Sequence, residues 1–137
     1  MQFAIFNLQS TIKMIYGSGI DLIEVERIVR QIDGDTHFRE KIFSAKEIAY
    51  CEDKPNRAEH YAARFAAKEA FFKALGTGWR GGLNFAEVEV INDDLGKPEL
   101  HFLGRTRELV AERQFSAIHL SLSHLKNLAV AMVIIEK

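Results

Sequence analysis

The chain has 137 residues, 47% hydrophobic and 27% charged, enough to bury one domain-sized core and too apolar for a disordered chain. Its 18 basic and 19 acidic residues leave a formal charge of -1, which argues against a nucleic-acid binder but allows a local basic patch. The single cysteine, Cys51, excludes an internal disulfide, and no apolar run reaches the ~18 residues of a membrane span.

The first segment, MQFAIFNLQSTIK (1–13), is mildly apolar but has no basic start and no hydrophobic block, so it is a poor signal peptide. We read it as an N-terminal extension without an assigned function, and the expected location is cytoplasmic. Ile15 to Ile23 mixes β-branched and small residues and predicts a strand. Its Gly17-Ser18-Gly19 is not a dinucleotide fingerprint, because the third glycine and a helix start are missing. Asp21 stands in this otherwise apolar strand. A carboxylate there needs a partner, which leaves two readings: a capped or paired Asp before the next helix, or a metal ligand.

Glu24 to Ile32 has helical spacing, with Val25, Ile28, Val29 and Ile32 on one face and Arg27 and Arg30 off it. Ser44-Ala45-Lys46-Glu47 reads as a capping box that opens a helix to about Asp53. Cys51 lies beside Glu52 and Asp53, whose charge disfavours the thiolate, so it is expected to be inert. After Pro55, Asn56 is the expected cap of a long helix from Arg57 to about Leu75, stopped by Gly76. On this helix Ala63, Ala67, Ala70 and Ala74 make a small-residue face for close packing, and Arg64 and Lys68 form a separate basic stripe. Glu69 and Lys73 are an i, i+4 pair flanked by Ala62 and Ala66. They read either as a surface ion pair or as two charged groups with space beside them for a ligand. Gly76-Thr77-Gly78 and Gly81-Gly82 suit either a helix-ending loop or a close backbone approach to an anion.

Phe85 to Ile91 predicts a strand, 92–98 a turn and Glu99 to Leu103 the returning strand. Thr106 to Gln114 predicts a short helix, and 117–123 and 128–135 two more strands. Period two puts His119, Ser121 and Ser123 on one face of the first of these, and Leu120, Leu122 and His124 on the other. A lone His at a strand end is open to a structural or a catalytic reading. The order of elements is that of an α+β fold.

GSGIDLIEVERI (17–28) and RFAAKEAFFKALGTG (64–78) resemble the two signature motifs of the phosphopantetheinyl transferase superfamily. Length and motif order are similar to its short bacterial holo-acyl-carrier-protein synthase branch, and the resemblance continues through NDDLGKP (92–98) and HLSLSH (119–124). It covers residues 14–137, read as one phosphopantetheinyl transferase domain with an antiparallel sheet, one long helix and several short ones. The resemblance implies Mg²⁺-assisted transfer of the phosphopantetheine arm of coenzyme A to a serine of apo-acyl carrier protein, releasing adenosine 3′,5′-bisphosphate. It makes Asp21 and Glu69 the metal ligands and Lys73 a contact to the coenzyme A phosphates, these three being the catalytic set. It implies further coenzyme contacts from Arg64, Gly76, Thr77, Gly78, Gly96, Lys97, Pro98 and His124. Acyl carrier proteins are acidic, so Arg27, which matches a family arginine, and Arg30 are the expected docking residues. The resemblance also implies a homotrimer with active sites between subunits. Two carboxylates suit Mg²⁺, which takes few protein ligands and fills its shell with phosphate and water. The serine proton is left to either Glu69 or a metal-bound water. Another metal-dependent phosphoryl-transfer enzyme would lack a recognisable Walker loop here, and a non-catalytic carrier-protein binding module would not need all three catalytic residues.

Overall fold

A computed structural model describes residues 12–35, 37–78 and 81–137. Of the expected N-terminal extension only Ile12 and Lys13 fall within it.

Strand β1 (Ile15–Glu24) leads into helix α1 (Val25–Gly34), followed by a short α2 (Phe38–Ile42). Helix α3 (Ala45–Glu52) and the long α4 (Arg57–Leu75) come next, then a 3-10 turn at Phe85–Glu87. Strands β2 (Val88–Asn92) and β3 (Pro98–Phe102) form a hairpin, and α5 (Gly104–Glu112) leads to β4 (Ala117–His124) and β5 (Leu128–Glu136). The main sheet has the order β1-β5-β4 and is antiparallel throughout. This is the expected α+β architecture.

Helix α4 lies across that sheet and supplies much of the core. Ala63, Ala67, Ala70 and Ala74 are all buried, as the spacing predicts. Their small size lets β1 come down onto the helix backbone. A methyl group on Gly19 would sit 2.0 Å from the Ala70 carbonyl oxygen, and one on Gly17 at 2.0 Å from that of Ala74. The Gly-Ser-Gly of β1 is therefore a packing device, period two placing both glycines on the helix side. Asp21 shares that side and is carried to the helix surface with them.

The Ser44 capping box forms: Ser44 Oγ accepts from Glu47 N, and Glu47 Oε1 accepts from Ser44 N at 3.0 Å. The box is buried, and Glu47 also accepts from Val90 N, tying α3 to β2. The Asn56 cap does not form; its side chain makes no bond to the helix, and Glu59 is drawn instead to His124. The strand expected from Phe85 begins at Val88, because the Asn84 side chain accepts from Ala86 N at 2.9 Å and turns the chain first. Helix α5 starts two residues earlier than expected, at Gly104, with Thr106 held by Glu87 at 2.8 Å. Burial pushes the Cys51 thiol up to about 12; the neighbouring carboxylates add less, and the residue is inert for the expected outcome but a different leading cause.

Candidate active site

Asp21 on β1 lies near enough to Glu69 on α4 for its charge to act on it, and Lys73 stands one helical turn beyond Glu69. The Lys73 ammonium does not pair with Glu69, so the surface-ion-pair reading of the i, i+4 spacing does not hold. It reaches across to β1 and donates to the Ile20 carbonyl oxygen at 2.9 Å and to Asp21 Oδ1 at 3.2 Å. Two acceptors on the adjoining strand outweigh one on the same helix. Ala62 and Ala66, expected to clear space beside the pair, are instead packed in the core.

Glu69 is left half-buried, with no hydrogen bond or ion pair among the described residues. Burial raises its pKa, and the Asp21 charge raises it further; Lys73 and Arg27 oppose. A carboxylate desolvated next to a second carboxylate, with its own oxygens unclaimed, is a site short of positive charge. The donor set of two hard oxygen ligands fits Mg²⁺. No cluster of three or more His, Cys, Asp or Glu suited to a metal occurs among the described residues, so the remaining ligands would come from water and substrate.

Beyond Lys73 the helix ends at Gly76, whose φ of 81° is left-handed, and Gly78 follows at 64°. Gly76 and exposed Thr77 border a cleft of about 490 Å³ with Leu75, Leu83, Leu109 and Val110 among its walls. Arg27 and Arg30 are exposed on α1, and Arg30 pairs with Glu26 at 3.0 Å. Arg27 is also near enough to Glu69 to bias its charge. Arg27 thus stands beside the carboxylate pair.

Arg64 and Lys68 do not make a solvent-facing stripe; both are buried. Lys68 donates to Glu47 Oε1 at 2.7 Å, to the Phe85 carbonyl at 2.8 Å and to the Val88 carbonyl, pinning α4 to α3 and the hairpin. Arg64 donates to Asn92 Oδ1 at 2.8 Å, and Asn92 Nδ2 donates to the Gly96 carbonyl at 3.0 Å, so Arg64 is linked to the turn carrying Gly96, Lys97 and Pro98. His124 Nδ1 donates to Glu59 Oε1 at 2.9 Å. Arg64, His124 and the Gly96 turn therefore form a second cluster. Arg64 leaves α4 about 140° around the helix from Glu69, so within one chain the two clusters do not share a face.

Sequence reasoning missed Tyr50, Lys54 and His60, which adjoin this second cluster. The i, i+4 spacing of His60 and Arg64 was the available signal; what joins them to α3 and β4 is tertiary.

An α+β domain with a close pair of carboxylates, a lysine and glycine-rich backbone beside them is equipped to act on a phosphorylated substrate. Residues 17–133 match the 4′-phosphopantetheinyl transferase superfamily, and the chain belongs to it. It is 48% identical over 125 residues to the holo-[acyl-carrier-protein] synthase of Geotalea daltonii, covering 90% of this chain and all of that one. Among solved structures, the holo-[acyl-carrier-protein] synthase of Neisseria meningitidis superposes with a TM-score of 0.84 at 35% identity, over 90% of this chain and 100% of that one. The Bacillus anthracis synthase, solved in complex with CoA (3′,5′-ADP), gives 0.75 at 40% identity, over 90% and 98%.

Proposed function

We propose that this chain transfers the 4′-phosphopantetheine group of coenzyme A to a serine of apo-acyl carrier protein. The observation that carries the reading is the Asp21–Glu69 pair with Lys73 bridged onto Asp21, in a chain 48% identical to the holo-[acyl-carrier-protein] synthase of Geotalea daltonii. In the reaction the serine oxygen bonds to the phosphorus that carries pantetheine. The anhydride bond to the other phosphorus breaks, adenosine 3′,5′-bisphosphate leaves, and the serine gives up its proton.

Asp21 and Glu69 would hold a Mg²⁺, which would supply charge neutralisation at the phosphate oxygens. Lys73, 54% exposed and already at the carboxylate edge, adds a second positive charge where negative charge builds on the leaving group. Gly76, whose N–H is spent on the Phe72 and Lys73 carbonyls, turns the chain so that Thr77 and Gly78 can offer a hydroxyl and backbone N–H groups to the same phosphates. Arg27 and Arg30 offer basic side chains to an acidic carrier protein next to the carboxylates.

Arg64, His124 and the Gly96-Lys97-Pro98 turn belong to the same substrate but face away from Glu69. A second copy of the chain resolves this, bringing its Arg64 cluster to the first copy's carboxylates. The outer face of the sheet supports such an assembly: Ile20, Leu22 and Met132 are 60%, 65% and 45% exposed on adjoining strands. We take the assembly to be the homotrimer implied by the family likeness. No helix among the described residues is long and apolar enough to cross a membrane, and the buried thiol of Cys51 suits the cytoplasm.

The test is to mix the protein with an apo-acyl carrier protein, coenzyme A and Mg²⁺ and weigh the carrier by mass spectrometry. The phosphopantetheine mass is expected to appear, and Asp21→Ala and Glu69→Ala to slow its appearance by about 10³-fold with melting unchanged. No mass gain on a competent carrier would overturn the reading; full rates in both variants would overturn the metal assignment.

A further inference from the structure

The second cluster holds more positive charge than its own acceptors account for. Arg64 is 2% exposed, and its Nε has no hydrogen-bond partner although it is buried. Its guanidinium carbon lies 4.0 Å from the centre of the Tyr50 ring, and Lys54 Nζ lies 4.7 Å from the same ring. His60, one turn before Arg64 on α4, packs edge-on against Tyr50 at 5.5 Å and against His124 at 5.2 Å. The carboxylate beside these groups is Glu59, and it is bonded to His124 Nδ1. The groups facing His60 are thus Tyr50 from α3, Lys54 from the α3–α4 turn, Glu59 and Arg64 from α4, and His124 from β4.

Two cations stand over the Tyr50 ring, His60 packs on its edge and His124 on His60, so positive charge gathers where an anion would be held. The buried Arg64 Nε has no acceptor among the described residues and is left as a donor that an anion could engage. The Tyr50 ring holds the Arg64 guanidinium and the Lys54 ammonium together by cation–π contact. We propose that His60 is a further phosphate-binding residue of this chain, acting beside Arg64 when protonated, so that affinity for the coenzyme's nucleotide end strengthens as pH falls. The proposal rests on the coenzyme A reading of the second cluster and names the residue that regulates it.

The direction follows from the surroundings. In the free protein, burial first and then the charges of His124, Arg64 and Lys54 hold the His60 imidazole below its ordinary value, so it is mostly neutral near pH 7. A bound phosphate sets a negative charge against those positive ones and draws a proton onto the ring. Binding at low pH then gains an interaction that binding at high pH lacks.

The experiment is calorimetric titration of coenzyme A and of dephospho-coenzyme A into the intact protein and into His60→Gln and His60→Lys, at pH 6 and pH 8. Between pH 8 and pH 6 the wild type is expected to gain about five-fold more affinity than His60→Gln, and His60→Lys is expected to bind at pH 8 at least as tightly as wild type with no added gain at pH 6. A gain confined to coenzyme A places His60 at the 3′-phosphate, and one shared with dephospho-coenzyme A places it at the pyrophosphate. Parallel pH dependence in wild type and His60→Gln, with coenzyme A bound by both, overturns the role of His60 alone. Failure of the wild type to bind coenzyme A at either pH overturns the coenzyme reading and this proposal together.

Discussion

Lys68 and Lys73 leave the same helix five residues apart and enter opposite environments. Lys68 is fully buried, with its ammonium shared among the Glu47 carboxylate and two backbone carbonyls. Lys73 is 54% exposed and shared between one carbonyl and Asp21, beside Glu69, which has no partner among the described residues. The inner lysine is closed: its donors are spent on holding α4 against α3 and the hairpin. The outer lysine is open, and the carboxylates near it are under-satisfied. An ion pair whose members are all paired stabilises a geometry, whereas one that leaves a carboxylate uncompensated is prepared for a ligand.

The contrast is broken most severely at Lys68. Lys68→Met leaves Glu47 buried without its cation and is expected to cost about 3–5 kcal/mol in denaturant unfolding. Adding Glu47→Leu is expected to recover part of that loss, because an apolar pair no longer strands a charge. A double variant no more stable than Lys68→Met would show that the cost lies in the lost carbonyl bonds instead.

On the outer face the effect should move from stability to rate. Lys73→Ala is expected to lower carrier-protein modification by about 10²-fold while changing unfolding free energy by less than about 1 kcal/mol. A stability loss comparable with that of Lys68→Met would erase the distinction between the two faces.

The smallest effect is at Glu69. Its raised pKa means that its folded form prefers to be neutral, so the stability it contributes is present below the ordinary carboxylate range and lost as pH rises through the raised value. In metal-free protein, Glu69→Gln is therefore expected to be more stable than wild type at pH 7 by a few tenths of a kcal/mol, discounted for its partial exposure, with the advantage shrinking at pH 4. Urea midpoints at the two pH values measure it, and an advantage that did not depend on pH would mean that Glu69 is already compensated.

Local physics made much of the molecule legible. The 3.6-residue spacing of α4, its left-handed Gly76 stop and the Ser44 capping box depend on neighbours within a few residues, and each formed as read. The alternation of β4 placed Leu120 inward and His119 outward for the same reason. The misreadings share a cause. The Asn56 cap and the ion-pair reading of Glu69 and Lys73 took the nearest partner in sequence, and the Arg64–Lys68 stripe was placed by helix periodicity alone. In the fold, distant partners won: Glu59 went to His124, Lys73 to Asp21 and Lys68 to Glu47.

By itself the sequence determined which residue types were available and which face of each element they occupied, because helix and strand periodicity are properties of the backbone alone. The likeness of its two motifs to a known family, rather than that periodicity, marked Asp21, Glu69 and Lys73 as a set. Only the tertiary structure decided which charges were spent and which were left over. That depends on how closely β1 approaches α4 over Gly17 and Gly19, and on which carboxylates α3 and β4 bring to it, and a charge is neutralised by whatever lies within a few ångströms in space.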